Sequence, residues 1–95
     1  MIVVRGVNLY PAAMDNVIRS IEAVIEYEVE VRRTDGMDDL LVKIETKDGP
    51  TREDVAHDLA GAFRRHFNIR VEVVSALPGS LPRYEFKARR YKRVN

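Results

Sequence analysis

Residues 27–44, YEVEVRRTDGMDDLLVKI, decide the fold because they form two runs of alternating residues on either side of a polar turn. Apolar side chains occupy every second position in residues 27–31 and again in residues 40–44. A period of two is typical of a strand with one buried and one solvent-facing side. Gly36 lies in the turn and permits backbone angles that other residues resist. The stretch therefore predicts an antiparallel hairpin with one apolar face.

The segment before this hairpin predicts a strand, a loop and a helix. Residues 2–4 are β-branched or aliphatic and form a short strand, and residues 7–11 follow as a loop. Pro11 suits the first turn of a helix. The apolar face of this helix has helical spacing and should end near residues 21–24; it consists of Met14, Val17, Ile18 and Ile21.

The segment after the hairpin predicts a second helix and a last strand. Residues 48–50, Asp-Gly-Pro, break the chain, and Thr51 is a candidate helix N-cap. Asn68 can end the helix in a left-handed turn, and residues 69–73 alternate as a core strand. The apolar face of the helix consists of Val55, Leu59, Ala62, Phe63 and Phe67.

The order of these elements predicts a single small α+β domain of ferredoxin-like type. The pattern is βαββαβ, with an antiparallel sheet and two helices on one face. Residues 1–75 form this body, and residues 76–95 form a Pro/Gly loop and a basic C-terminal extension. A chain of 95 residues can bury one modest core.

The composition excludes several classes of protein. The chain has no cysteine, which removes disulfides, thiolate metal sites and cysteine nucleophiles and suits a reducing cytoplasm. No apolar run approaches the roughly 18 residues of a membrane span, so no membrane association is expected. The formal net charge of +1 divides unevenly, because residues 1–82 carry a net −4 and residues 83–95 a net +5. The basic extension either meets an anionic partner or is a solvated terminus.

Most residue clusters favour a structural role. His57 and His66 lie nine residues apart on one helix and point to different faces, so no metal site is expected. The acidic turn with Asp35, Asp38 and Asp39 lacks the full set of acidic ligands of a calcium-binding loop, so a hairpin turn is favoured. Alternating glutamates on the first hairpin strand could attract a basic partner, but a solvated outer face is the favoured interpretation; they are Glu26, Glu28 and Glu30.

Two terminal motifs resemble those of one enzyme family. Residues 4–11, VRGVNLYP, and residues 77–83, LPGSLPR, followed by Glu85 and residues 87–90, KARR, are similar to the motifs of the phenylacetate–CoA ligase family. That family is a branch of the AMP-forming acyl-CoA synthetases, the adenylate-forming superfamily. The resemblance covers nearly the whole chain and implies its small C-terminal domain.

The resemblance implies a reaction in two steps. A carboxylic acid, of aryl or arylacetic type, reacts with ATP to give an acyl adenylate, and CoA then displaces AMP to give a thioester. The C-terminal domain is a mobile lid that takes a different orientation in each step. The complete enzyme uses ATP, Mg²⁺ and CoA, which an N-terminal adenylation domain outside this sequence mainly binds. The isolated chain is therefore expected to bind none of them tightly and to be inactive.

The resemblance also implies roles for three residues. Lys87 corresponds to the family's terminal lysine and would reach the carboxylate and phosphate oxygens during adenylation. Gly6 corresponds to a loop that faces the CoA channel during thioester formation, and Arg5 to a neighbouring interface residue. The implied partners are the adenylation domain, CoA and the acyl adenylate, with a weak homodimer as a further expectation.

Two other functions stay open at this point. A ferredoxin-like domain could act alone as a small-molecule-binding or regulatory module. The extension, with Tyr84, Phe86 and Tyr91 among its cations, could also bind nucleic acid, although the sequence lacks an RRM or KH motif and this is the less favoured alternative.

Overall fold

The computed structural model describes residues 2–47, 52–83 and 90–94. Its elements, in chain order, are β1 (Ile2–Val4), β2 (Val7–Leu9), α1 (Pro11–Arg19), β3 (Val24–Thr34), β4 (Met37–Thr46), α2 (Arg52–Phe67), β5 (Glu72–Ser75) and β6 (Tyr91–Val94). The predicted chain break at residues 48–50 and the predicted cap Thr51 lie outside the described residues.

One four-stranded sheet organises the domain, in the order β5-β4-β3-β6. The predicted hairpin is its centre, because β3 and β4 pair antiparallel along almost their whole length. β5 runs parallel to β4, as expected for strands joined by a crossover helix, and β6 runs parallel to β3. The small α+β fold with two helices is confirmed, with a mixed sheet in place of the antiparallel one that was predicted.

Both helices pack on one face of this sheet, as the sequence predicts. The core joins Met14 and Ile18 of α1 and Leu59 and Phe63 of α2 to Tyr27 and its alternating neighbours on β3. Each fully buried Leu, Ile or Phe side chain contributes about 1.5–3 kcal/mol, so this layer supplies most of the drive to fold. The predicted left-handed end of α2 is confirmed, since Asn68 has φ 55°.

Three element boundaries differ from the prediction. Residues 7–9 form β2 rather than a loop, because they pair with β1 across a two-residue turn. α1 ends at Arg19, before residues 21–24, because the Ser20 hydroxyl donates to the Val17 carbonyl and closes the last turn. The last strand of the body is β5, which begins at Glu72 rather than at residue 69.

The C-terminal extension adds a strand to the sheet. β6 lies along the free edge of β3 and pairs Tyr91 with Val29 and Val94 with Arg32. The Tyr91 hydroxyl lies 3.2 Å from both the Tyr27 hydroxyl and the Pro11 carbonyl oxygen. The end of the chain is thereby tied to the core and to the start of α1.

Candidate functional site

Arg5 and Gly6 form the tight turn between β1 and β2. Both residues have positive φ angles, 47° and 81°, which is the signature of a type I′ hairpin turn. Among the residues that the structure describes, a Cβ built on Gly6 would meet nothing within 4 Å, so the conformation and not a close contact with them requires glycine. The turn therefore presents bare backbone on an open surface.

The Arg5 side chain is fixed to the neighbouring hairpin. Its Nε and Nη2 atoms donate to the two carboxylate oxygens of Asp39 at 2.7 and 2.8 Å. The guanidinium holds the pKa of Asp39 below its ordinary value by hydrogen bonding and charge. Half of the Arg5 side chain remains exposed at 52%. This pair orients Arg5 and leaves its outer face available to a partner.

Two shallow grooves flank the Arg5–Gly6 turn. One, of about 470 Å³, is lined by Arg5 together with Arg64 and Arg70 near the end of α2. The other, of about 280 Å³, runs between the two hairpin turns and includes the exposed side chains of Val3 and Met37. The turn thus lies between a cationic groove and a partly apolar groove.

Lys87 lies outside the described residues, as does the whole of segment 84–89. The structure does place the residues on either side of it. Arg83 precedes the segment and Arg90 follows it, and each of the two is paired with a buried glutamate of the sheet.

Glu45 anchors residues 77–83, the loop that leads into the lysine segment. Its carboxylate is 2% exposed and accepts the Gly79 and Leu81 backbone N–H groups at 2.8 and 3.0 Å. Arg83 donates through both terminal nitrogens, at 2.8 and 3.1 Å. The Arg83 guanidinium, aided by the two N–H groups, lowers the pKa of Glu45 to about 2. Four donors thus converge on one carboxylate.

Arg90 is held where the extension returns to the sheet. Its side chain is nearly buried, forms an ion pair with Glu26, and donates to the Tyr27 carbonyl oxygen at 3.0 Å. The guanidinium also lies over the Tyr27 ring, 4.7 Å from its centroid, a cation–π contact. Burial lowers the pKa of Arg90 from its ordinary value.

The prediction of a solvated glutamate face is wrong. Glu26, Glu28 and Glu30 are only 6–8% exposed. Arg90 pairs with the first, Lys92 lies 3.4 Å from the second, and Lys43 and Arg32 contact the third. The extension therefore finds an anionic partner within the same chain, which accounts for much of its charge.

The Arg5–Gly6 turn and Arg83, the residue before the lysine segment, contact opposite ends of β4. Arg5 contacts Asp39 near the β3–β4 turn, and Arg83 contacts Glu45 six residues further along the strand. At about 3.4 Å per residue these anchors are roughly 20 Å apart. The structure thus does not bring the Arg5–Gly6 turn together with the residues that flank Lys87.

Sequence reasoning missed Glu26 and Glu45 as anchors. Alternation correctly places both on the face away from the helices, but that pattern by itself indicates solvent. The one indication in the sequence was the distribution of charge along the chain: an acidic strand face in a body of net −4 is followed by an extension of net +5, which can pair with it.

Other site types find no support in the part of the chain that the structure describes. No group of three or more His, Asp or Glu side chains there could hold a metal ion. Neither helix there is long and apolar enough to cross a bilayer.

Comparison with known proteins identifies relatives of the chain. The family model for the AMP-binding enzyme C-terminal domain matches residues 6–93. Phenylacetate-coenzyme A ligase of Escherichia coli (strain K12) is 33% identical in an alignment 95 positions long, which covers 93% of this chain and 22% of that enzyme. The chain thus spans about a fifth of the length of this curated relative.

Solved structures with the same fold include complete ligases. The chain superposes on 2-hydroxyisobutyryl-CoA ligase in complex with 2-HIB-AMP and CoA in the thioesterification state, with a TM-score of 0.84, 25% identity and coverage of 98% of this chain and 21% of that one. It matches the same ligase with 2-HIB-AMP in the postadenylation state with a TM-score of 0.84, 26% identity and coverage of 99% and 21%.

A third solved structure consists of little more than this domain. It is a domain of phenylacetate-coenzyme A ligase from Bacteroides vulgatus ATCC 8482, with a TM-score of 0.80. The match covers 99% of this chain and 92% of that one at 18% identity, which shows a shared fold.

Proposed function

The chain belongs to the family of AMP-binding enzyme C-terminal domains, and from this we propose that it is the mobile C-terminal domain of an AMP-forming acyl-CoA ligase. The enzyme activates an aryl or arylacetic acid with ATP and then transfers the acyl group to CoA. The observation that carries the proposal is the family match over residues 6–93, which includes the second motif and, apart from Val4 and Arg5, the first.

The proposed chemistry has two displacements. A carboxylate oxygen attacks the α-phosphorus of ATP, which releases pyrophosphate and leaves an acyl adenylate. The CoA sulfur then attacks the acyl carbon, and AMP leaves. Lys87 stabilises negative charge on the carboxylate and phosphate oxygens in the first step. The Arg5–Gly6 turn faces CoA in the second, and its bare backbone suits close approach to a thiol chain.

The separation of the two candidate segments supports a domain that turns between the steps. Anchors about 20 Å apart along β4 favour separate use of the two segments, with a rigid rotation of the domain presenting each in turn.

The partner of this domain is an adenylation domain, which supplies most contacts to ATP, Mg²⁺ and the acid. Residues 1–75 form the body and residues 76–95 the extension that carries Lys87, with β6 folded back onto the sheet. We place the enzyme in the cytoplasm, and exposed Val3 and Met37 beside Gly6 would permit weak self-association of the isolated domain.

The test separates the two half-reactions in the complete ligase. Lys87→Ala should lower pyrophosphate release about a hundredfold, because a preorganised cation is lost, with little effect on thioester formation from preformed acyl adenylate. Gly6→Asn keeps a residue type that tolerates positive φ, adds a side chain at the turn, and should lower thioester formation alone.

Each variant is the control for the other. Equal losses in both half-reactions for either variant would contradict the assigned roles. The isolated 95-residue chain, incubated with ATP, Mg²⁺, CoA and phenylacetate, should form no thioester. Thioester formation by that chain would refute the need for an adenylation domain.

A further inference from the structure

Glu26 and Glu45 are neighbours in the sheet. They are directly paired residues of the β3–β4 ladder, so their Cα atoms lie about 4.5–5.5 Å apart and their side chains leave the same face. Both side chains are buried, at 6% and 2% exposure. Two buried carboxylates side by side repel each other and lose hydration, and each therefore requires a cation.

The two cations come from opposite ends of segment 84–89. Arg83, the residue before the segment, binds Glu45 through two nitrogens, while Arg90, the residue after it, pairs with Glu26. The described residues on either side of segment 84–89 are therefore both bound to one pair of neighbouring carboxylates. Lys87 is four residues from one anchor and three from the other.

Further contacts make both anchors rigid. The Glu45 carboxylate also binds the backbone of the 77–83 loop at Gly79 and Leu81, and the Leu81 side chain is buried. Arg90 is fixed by the Tyr27 carbonyl and ring and is followed at once by β6. Each side of the segment is therefore held by several contacts and not by a single ion pair.

We propose that Glu26 and Glu45 are positioning residues that hold the two ends of segment 84–89 and so restrict where Lys87 can be presented. This inference rests on the proposed function of Lys87 in adenylation. The glutamates do not touch substrate; they act through Arg90 and Arg83. The acidic strand face then has a purpose beyond stability, since it fixes the start and return of the segment that bears the lysine.

Glu30 provides a matched control. It lies on the same face of β3, is 8% exposed, and also forms ion pairs, with Lys43 at 2.5 Å and Arg32 at 2.7 Å. Both of its partners belong to the sheet and neither flanks segment 84–89. Glu30→Gln therefore removes a comparable buried charge without releasing an end of the segment.

The first experiment measures position directly in the 95-residue chain. Because the chain has no cysteine, Lys87→Cys and Asp58→Cys allow nitroxide labels at position 87 and on exposed α2. Pulsed electron paramagnetic resonance gives the distribution of distances between them. We expect Glu45→Gln and Glu26→Gln to broaden this distribution and Glu30→Gln to leave it unchanged.

A second variant keeps the test decisive if a glutamate variant fails to fold. Arg83→Gln removes the Glu45 partner from a side chain that is 56% exposed, which spares the core. Circular dichroism and urea unfolding confirm that each labelled variant is folded. An unchanged distribution in folded Glu45→Gln, Glu26→Gln and Arg83→Gln chains, or equal broadening in Glu30→Gln, would overturn the proposal.

The second experiment asks whether position matters for chemistry, in the complete ligase. Glu45→Gln should lower pyrophosphate release about 10- to 100-fold, since small displacements of a positioned group cost that much. In a Lys87→Ala background the same substitution should have no further effect. A further loss there would show that Glu45 acts by another route and would overturn the proposal.

The two possible failures can be told apart. If Lys87→Ala leaves adenylation intact, the proposed function of that lysine is wrong, while the distance measurement still decides whether the glutamates hold the segment. If the distances broaden but adenylation does not change, the anchors exist and the positioning role is refuted.

Discussion

At the scale of single residues, Glu45 shows how one buried carboxylate can organise a surface loop. It receives two backbone N–H groups and a bidentate arginine from residues that lie 34 to 38 positions later in the chain. Charged groups of this kind are costly to bury unless every oxygen is satisfied. The loop and the strand therefore depend on each other. Without the loop, the Glu45 carboxylate would be buried and unpaired. Without the carboxylate, the donors of the loop would have no acceptor.

Acid should weaken the fold through Glu45. Its pKa is about 2 in the folded domain against an ordinary value of 4.5, so the folded state favours the charged form. The resulting stability is fully present above about pH 4.5 and is lost as the pH falls toward 2. Because the Arg83 partner is half exposed, we expect a loss on the order of 2 kcal/mol.

Urea unfolding between pH 2 and pH 6 measures this loss. Glu45→Gln should flatten that part of the stability curve, because the titrating group has been removed, while Glu72→Gln at an exposed carboxylate should leave it unchanged. A curve for Glu45→Gln as steep as that of the unaltered chain would assign the acid sensitivity to other carboxylates.

The sequence predicts which face of the sheet the glutamate side chains occupy, but it does not predict which residues cover them there. Alternation correctly separates Tyr27 from Glu26 and Glu28, because the period of a strand is local. What covers the glutamates depends on Arg90 and Lys92, more than 60 residues away. Contacts at that separation leave no periodic trace in either segment.

At the scale of elements, the β1–β2 hairpin is fixed by the backbone angles of its turn and by two side chains that pack into the domain core. Val4 and Leu9 are buried at 1% and 0% exposure and attach the hairpin to the rest of the domain. An isolated hairpin of this size is marginal in water, so this attachment stabilises it. The turn that carries Arg5 and Gly6 is therefore set by backbone angles at one end and packing at the other.

Two glycine substitutions should have opposite effects on stability. Gly6→Ala places a Cβ on a residue with φ 81° and should destabilise the domain by about 1–2 kcal/mol, since a left-handed conformation disfavours L side chains. Gly61→Ala lies inside α2 and should stabilise by up to about 1 kcal/mol, because alanine is the better helix former.

Steric clash does not account for either effect. In the described part of the chain, nothing lies within 4 Å of a Cβ at position 6, and a Cβ at position 61 meets only the end of the long Arg65 side chain, at 3.2 Å. Urea midpoints of the two variants provide the measurement. A stable Gly6→Ala chain would show that the turn relaxes to negative φ at little cost.

Long, periodic elements were predictable, whereas two of the short strands, β2 and β6, were not. The β3–β4 hairpin and both helices have enough residues to display their periods, and the sequence predicts them. β2 and β6 contain three and four residues, too few for a period to emerge. They are strands because a partner lies beside them: β1 across the turn, and the free edge of β3.

At the scale of the whole molecule, folding brings opposite charges together. The body carries a net −4 and residues 83–95 a net +5, yet the described cations of the extension meet carboxylates of the body. The pairs are Arg83 with Glu45, Arg90 with Glu26, Lys92 with Glu28 and Arg93 with Asp38. A count of charges along the chain therefore overstates the positive potential that the folded domain presents.

This pairing predicts weak, salt-insensitive binding to nucleic acid. A site that neutralised four phosphates of a single strand would give a slope of log K against log salt of about −3, because each contact releases counterions. A synthetic peptide of residues 83–95 has the same cations without the body's carboxylates, and it should bind labelled single-stranded RNA with the steeper slope. Fluorescence anisotropy between 50 and 200 mM salt compares the two. If the folded chain bound more tightly and with a slope as steep as the peptide's, the extension would present its cations outward, and a nucleic-acid role would displace the one we assign to the glutamate anchors.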